Sequence, residues 1–159
     1  MVEVREATRD DWPAVAALLA ELGRPDVLGG SDEETTRDLF ERYLERDDAL
    51  ALVAVDDGVV VGFVDLEFRP RLNFTTSQAW IPDLVVTGDL RGRGVGGALV
   101  GRCEELARER GCWSLTLESA NWRERAHAFY LRQGLADSAK SFSKLLGDGD
   151  VEWPPKPRS

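Results

Sequence analysis

Histidine and cysteine are scarce in this chain of 159 residues, which contains one histidine and two cysteines. The histidine, His127, has no cysteine cluster with zinc-ligand spacing beside it, so the sequence predicts no metal site. Cys103 and Cys112 are nine positions apart. If one helix carries both, they lie about 13 Å apart on opposite faces, which is too far for a disulfide. We expect two free thiols in a reducing compartment.

Long apolar runs are also lacking, and basic residues are fewer than acidic ones. No run approaches the length of a membrane-spanning helix, and the segment Met1 to Arg5 lacks the apolar core of a signal peptide. Lysine and arginine number 20 against 29 acidic residues, for a net charge of −9. This excess argues against binding to nucleic acid or to anionic membranes and favours cationic small molecules or basic peptides. We expect a cytoplasmic protein, either a monomer or a homodimer.

The chain length fits one domain, large enough to bury about 68–70% of its unfolded surface. Segments in which apolar residues alternate as in strands are interspersed with segments in which they have helical spacing. This order predicts a mixed α/β or α+β domain over residues 1–147. Residues 148–159 include Pro154, Pro155 and Pro157 and are expected to form an extended tail.

Three of the expected helices begin at capping patterns, and all of them end near a glycine except the second, which ends near Arg46. These patterns pair Thr8 with Asp11, Ser31 with Glu34, and Asn121 with Glu124, and a further helix follows a glycine loop over residues 95–110. Alternating apolar residues predict strands at 2–7, 49–55, 59–68, 77–86, 113–118 and 139–146.

Two acidic residues, Asp65 and Glu67, share one face at the far end of the strand predicted over residues 59–68. They are candidates for binding a cationic amine. The alternative is that they form the solvent-facing end of an edge strand.

A proline interrupts the strand predicted over residues 77–86. Pro82 cannot donate to a strand ladder, which predicts an edge, a bulge or a splayed region at this point. If the neighbouring strands part here, the backbone groups of Leu84, Val85 and Val86 become available to an extended ligand.

A glycine-rich loop then leads into the next helix. It contains Gly92, Gly94, Gly96 and Gly97, with Arg91 and Arg93 interleaved. Glycines allow several backbone N–H groups to point at one spot, and the helix N-terminus adds partial positive charge. The sequence therefore predicts a site for a phosphate-bearing cofactor.

Gly92, Gly94 and Gly97 of the same loop also match a dinucleotide-binding fingerprint. Glu118 lies at the end of the next predicted strand, where an acidic residue would bind the ribose. Against this alternative, residues 87–91 separate the strand from the first glycine, and little chain follows for a second half-sheet. A P-loop is excluded because no Gly-Lys-Ser/Thr sequence is present.

Two segments resemble one known family. Leu84-x-Val86 followed by Arg91-x-x-Gly94-x-Gly96 resembles the acyl-CoA motif of the GNAT superfamily of N-acetyltransferases. Asn121, with Ala126-x-x-Phe129-Tyr130 and Gly134-Leu135 after it, is similar to that superfamily's second segment. The order of predicted elements also agrees, so the resemblance covers nearly the whole chain. It implies a GNAT-type mixed, mostly antiparallel sheet, splayed at the acyl-CoA site and flanked by helices.

The resemblance implies acetyl-CoA (coenzyme A) as the cofactor, with pyrophosphate at the helix N-terminus and pantetheine along the splayed strand. It implies Tyr130 as the general acid and a carboxylate base, for which Asp83 is the first candidate and Glu118 the second. Pro82 and Gly88 depart from the residues that are commoner in the family. The cofactor-binding candidates are Leu84, Val85, Val86, Arg91, Gly92, Arg93, Gly94, Val95, Gly96, Gly97, Asn121 and Tyr130.

We therefore expect an N-acetyltransferase that transfers an acetyl group directly to a primary amine of a cationic small molecule or a peptide, with Asp65, Glu67 and Asp83 contacting the amine. One alternative is an acyl-CoA-binding sensor without turnover, and the third is the dinucleotide-binding protein. The loops over residues 23–31 and 69–76 are expected to select the acceptor.

Overall fold

A computed structural model describes residues 1–90 and 92–147 of the chain. Arg91 and the predicted tail at 148–159 lie outside these described residues. Two units can be distinguished, at Met1–Leu117 and Glu118–Ser159. The single domain over residues 1–147 stays a prediction, and each unit is described by itself.

The first unit carries the sheet, and the order of elements predicted from the sequence is confirmed there. Its elements are β1 (Val2–Glu6), α1 (Trp12–Glu21), α2 (Glu33–Leu44), β2 (Ala49–Asp56), β3 (Val59–Arg69), β4 (Gln78–Ile81), β5 (Leu84–Val86), α3 (Val95–Glu109) and β6 (Leu115–Leu117). Short 3₁₀ turns at Arg9–Asp11 and Gly88–Leu90 precede α1 and α3. The second unit contains α4 (Glu124–Arg132).

Three local predictions are corrected. The predicted strand at 139–146 is absent from the described residues 135–147, which contain no strand. Asp32 rather than Ser31 is the N-cap of α2, and Arg123 rather than Asn121 is the N-cap of α4. The first capping pattern is confirmed, because the Thr8 N–H donates to Asp11 Oδ2 at 2.7 Å.

The sheet runs in the order β1-β2-β3-β4-β6, and β5 pairs with β3 beside β4. Each strand pair is antiparallel except β4–β6. The predicted mixed, mostly antiparallel sheet is thus confirmed. It also makes the dinucleotide-binding alternative wrong, because that fold requires a mostly parallel sheet.

Helices cover both faces of the sheet because their apolar stripes match its buried residues. On one face, α3 packs Val95, Leu99 and Cys103 against residues that include Val64 and Leu66. On the other face, α1 and α2 pack a cluster formed by Trp12, Val15, Leu18 and Phe40 with Val53, Phe63 and Val85. None of the helices in the described residues has both the length and the apolar composition that a membrane span requires.

Pro82 produces a bulge between β4 and β5. Glu67 of β3 pairs with Trp80, and Val64 pairs with Leu84, so the β4–β5 segment advances by one residue more than β3 does. Continuing the two registers inward leaves Pro82 as the extra residue. The predicted irregularity at this proline is therefore present as a bulge.

Gly62 sets the close approach of α3 to the sheet. A Cβ at this position would lie 3.0 Å from Cδ1 of Leu99 and 3.2 Å from Cγ1 of Val95. Gly62 also pairs with Val86. The first turn of α3 is consequently held against β3 at the level of β5.

Candidate active site

The backbone of β5 presents one edge away from β3. The Asp65 N–H donates to Asp83 O at 3.2 Å, and the Thr87 N–H donates to Val61 O at 2.9 Å. Because antiparallel ladders alternate, the bonded pair between these two contacts is Phe63 with Val85. The backbone groups of Leu84 and Val86 therefore point to the opposite edge.

That opposite edge of β5 is where the sheet parts. In the described residues, β6 pairs with β4 over Leu115–Leu117, whereas β5 pairs only with β3. Leu84 thus directs its backbone groups to a gap between neighbouring parts of the sheet. An extended ligand with amide groups can add here as an extra strand.

The glycine loop ends in a helix N-terminus without a side-chain cap. Gly94 is the N-cap of α3, with a φ of 85°, and the first turn of the helix contains no acidic residue. Gly92 has the same φ, and a Cβ at either glycine would have no heavy atom within 4 Å. Exposed N–H groups at an open helix start fit the phosphates of a nucleotide-like cofactor. Of the two loop arginines, Arg93 is exposed, and Arg91 lies outside the described residues.

The remaining predicted loop residues form the start of the helix. Val95 is buried in the core below the loop, whereas Gly96 and Gly97 are half-buried in the first turn of α3. The structure therefore brings Leu84, Val86 and the start of α3 to one end of the first unit, through the contact at Gly62.

Asp83 lies directly before β5, at the bulge, and its carboxylate has two neighbours of opposite character. The Arg24 guanidinium, from the loop after α1, contacts Asp83 Oδ1. On the other side, the Asp83 N–H donates to Asp65 Oδ1 at 2.7 Å. Burial raises the pKa of Asp83, while Arg24 and the hydrogen bond from the Asp65 side chain lower it in part.

Asp65 is among the few buried charged residues of the described chain, with an exposed fraction of 7%. Burial and the nearby Asp83 carboxylate raise its pKa well above the usual value. The alternative that Asp65 belongs to a solvent-facing strand end is therefore wrong.

Glu67, two residues further along β3, is half-buried and already paired. Arg46 donates to its Oε1 and the Tyr43 hydroxyl donates to its Oε2, both at 3.3 Å. Burial, followed by the charges of Asp65 and Glu67, raises the pKa of Tyr43, so this phenol stays protonated. Asp65, Glu67 and Asp83 form an acidic cluster balanced in part by Arg24 and Arg46.

The second unit carries the other predicted site residues. Tyr130 lies in α4, half-buried, with its ring centroid 5.5 Å from that of Phe129. Burial raises the pKa of Tyr130, and Arg123 lowers it in part.

Asn121 is exposed in the turn before α4, and Glu118 is exposed directly after β6. His127 contacts the Ala120 carbonyl oxygen through Nε2 at 2.9 Å, which gives it a structural role.

Sequence reasoning missed Arg24 and the burial of Asp65. The loop containing Arg24 was expected to select the acceptor, but no local pattern indicated that this arginine reaches Asp83, 59 positions away. In the sequence, Asp65 is one position in a strand whose side chains alternate between two faces. Its burial depends on the helices that pack over β3.

Comparisons with known proteins agree on one family. The sequence model described as "Acetyltransferase (GNAT) family" matches residues 2–135. The chain is 35% identical over 145 residues to the aminoalkylphosphonate N-acetyltransferase of Salmonella typhimurium, covering 91% of each protein. It is 31% identical over 145 residues to the thialysine N-epsilon-acetyltransferase of Bos taurus, covering 86% of this chain and 85% of the relative.

A solved structure has the same fold. The structure of an aminoglycoside N-acetyltransferase in complex with CoA superimposes on this chain with a TM-score of 0.78 at 17% identity. The match covers 92% of this chain and 95% of that one.

Proposed function

The chain belongs to the GNAT acetyltransferase family, and from this premise we propose that it acetylates a primary amine of a cationic small molecule. The enzyme is an acetyl-CoA-dependent N-acyltransferase. The observation that carries the proposal is the position of Asp83, a carboxylate at the bulge where the sheet parts and next to the backbone edge of Leu84.

The residues present fit acetyl-CoA, which supplies an acetyl group activated as a thioester. Leu84 offers a backbone donor and a backbone acceptor that match the amides of a pantetheine chain. The uncapped N–H groups after Gly94 suit a pyrophosphate, because the helix start carries partial positive charge and no side chain blocks the approach.

Asp83 is proposed as the general base. Amines are mostly protonated at pH 7, so one proton must leave the acceptor before its nitrogen can attack. A carboxylate whose pKa is raised by burial takes that proton more readily than an exposed one. Glu118 is the second candidate, and its side chain is exposed.

Tyr130 is proposed as the general acid. It must hold a proton on its Oη at neutral pH and deliver it to the departing thiolate. Burial raises the pKa of this phenol above its ordinary value of 10, which keeps the proton in place across the physiological range.

The acceptor is proposed to be a small molecule with at least one amine. The relatives named above are an aminoalkylphosphonate and a thialysine acetyltransferase, and both names specify amine substrates. The acidic cluster of Asp65, Glu67 and Asp83, and the net charge of −9, favour an acceptor that arrives with positive charge.

The test begins with calorimetric titration of the protein with acetyl-CoA and, separately, with NADH. Thiol release is then measured with four amines: an aminoalkylphosphonate, thialysine, an aminoglycoside and a polyamine. We expect binding of acetyl-CoA alone and turnover with at least one of the three amines that carry net positive charge, which are thialysine, the aminoglycoside and the polyamine. We expect Asp83→Asn to lower kcat/KM by about 10²-fold or more. Asp47→Asn, an exposed residue between α2 and β2, is the matched control.

Two outcomes would contradict the proposal. Tight acetyl-CoA binding without turnover on any amine would favour the sensor alternative. Turnover that Asp83→Asn leaves intact would remove Asp83 from the chemistry and direct attention to Glu118.

A further inference from the structure

At the bulge, the side chain of Asp65 takes the place of one backbone hydrogen-bond acceptor of the strand ladder. Asp65 stands directly opposite Asp83, and in a regular antiparallel pair each would donate its N–H to the carbonyl of the other. One of these bonds is present, from the Asp65 N–H to Asp83 O at 3.2 Å. The return bond goes instead from the Asp83 N–H to the side-chain Oδ1 of Asp65, at 2.7 Å. The Asp65 carboxyl therefore fixes the backbone that carries the proposed base.

The surroundings of Asp65 contain more negative than positive groups. Arg24 contacts Asp83, not Asp65, and in the described residues Asp65 has no ion pair of its own. The titratable and charged groups around it are Asp83, Glu67, Tyr43 of α2, Cys103 of α3 and, beyond Asp83, Arg24. Two neighbouring carboxyl groups with one guanidinium between them and solvent are most stable when one of the two keeps its proton.

We propose that Asp65 is a positioning residue for Asp83 and works as an uncharged carboxyl, which accepts the Asp83 N–H and donates a hydrogen bond to the Asp83 carboxylate. This inference rests on the proposed function, in which Asp83 is the base. In this arrangement Asp83 keeps the negative charge that Arg24 balances. The orientation of its carboxylate is set from two sides, by the Asp65 carboxyl and by the Arg24 guanidinium.

The amide of asparagine reproduces both hydrogen bonds of a protonated carboxyl, whereas alanine reproduces neither. We therefore expect Asp65→Ala to lower kcat/KM by about tenfold or more, and Asp65→Asn to recover most of that loss. The pH profile of kcat/KM in Asp65→Asn should keep the acid limb of the wild type, because a neutral group replaces a neutral group. An acid limb that moves to lower pH in Asp65→Asn would show that wild-type Asp65 is charged and would overturn the proposal.

A second readout does not depend on activity. A native carboxyl that keeps its proton above its usual pKa of 3.8 must release it on unfolding, so the wild type loses stability relative to Asp65→Asn as the pH rises from about 4 to 7. We expect the stability of Asp65→Asn minus that of the wild type, from urea unfolding, to increase over this range. Asp47→Asn should show no such increase.

The two readouts separate the possible failures. A stability difference that stays constant or falls with pH overturns the uncharged carboxyl, whether or not any amine is acetylated. If the stability difference rises as expected but no amine is turned over, the proposed function fails while the charge state of Asp65 stands.

Discussion

The guanidinium of Arg24 contacts the carboxylate of Asp83, although the two residues are 59 positions apart in the sequence. This ion pair ties the loop after α1 to the bulge between β4 and β5. Arg24 is 43% exposed and Asp83 13%, so the pair lies at a surface that an acceptor can reach. The loop expected to select the acceptor thus also contains the residue that lowers the pKa of the proposed base in part.

Replacing Arg24 by glutamine should shift the pH dependence of the reaction. Burial raises the pKa of Asp83 and Arg24 opposes that rise, so the variant carboxylate should hold its proton to a higher pH. We expect the acid limb of kcat/KM against pH to move to higher pH. Arg24→Lys keeps a positive charge and should restore part of the shift. An unchanged acid limb in Arg24→Gln would show that Asp83 does not control it.

A second prediction concerns the contact that positions α3. Gly62→Ala places a Cβ 3.0 Å from Leu99 Cδ1, so α3 must move away from β3 or its side chains must change rotamer. We expect a loss of about 1–3 kcal/mol in the free energy of unfolding. In Gly101→Ala, within α3, the new Cβ meets nothing within 4 Å, so we expect a gain of about 0.5–1 kcal/mol. Urea unfolding measures both, and equal effects would contradict the close approach.

Local patterns predicted much of the fold. Helical spacing, the glycine loop and the proline at 82 each act over a few residues, and all three appear in the structure as elements or as a bulge. The strand expected at 139–146 is not formed, because alternation of apolar residues along one segment does not by itself supply the hydrogen-bond partners that a strand requires.

The candidate site was harder to predict because its contacts are long-range. Asp83 was a candidate because the family resemblance implies a carboxylate base there. Its partner Arg24 follows from how the loop after α1 folds back over the sheet. The sequence does not indicate that the face of β3 that contains Asp65 is buried at the C-terminal end of the strand.

Tyr130→Phe should separate an enzyme from a sensor. The substitution removes one hydroxyl and keeps the ring that packs near Phe129, so we expect little change in stability or in acetyl-CoA affinity. If Tyr130 is the general acid, kcat should fall by about 10²-fold or more. Because burial raises the pKa of Tyr130, wild-type activity should not decline through loss of this proton below its usual pKa of 10. Unchanged kcat in Tyr130→Phe would assign the acid to another group.

The two ends of α3 offer a matched pair of variants for the cofactor site. Gly94 precedes the helix with a φ of 85°, and Gly111 follows it with a φ of 71°; a Cβ at either would meet nothing within 4 Å. Alanine at either position adopts a strained backbone, so each variant should lose about 1–2 kcal/mol of stability. Only Gly94→Ala alters the loop whose N–H groups are proposed to bind pyrophosphate. We expect it to weaken acetyl-CoA binding by about tenfold in calorimetry while Gly111→Ala binds as the wild type does, since tenfold corresponds to about 1.4 kcal/mol. Equal weakening in both variants would trace the effect to stability, and no weakening in either would place the pyrophosphate away from this helix start.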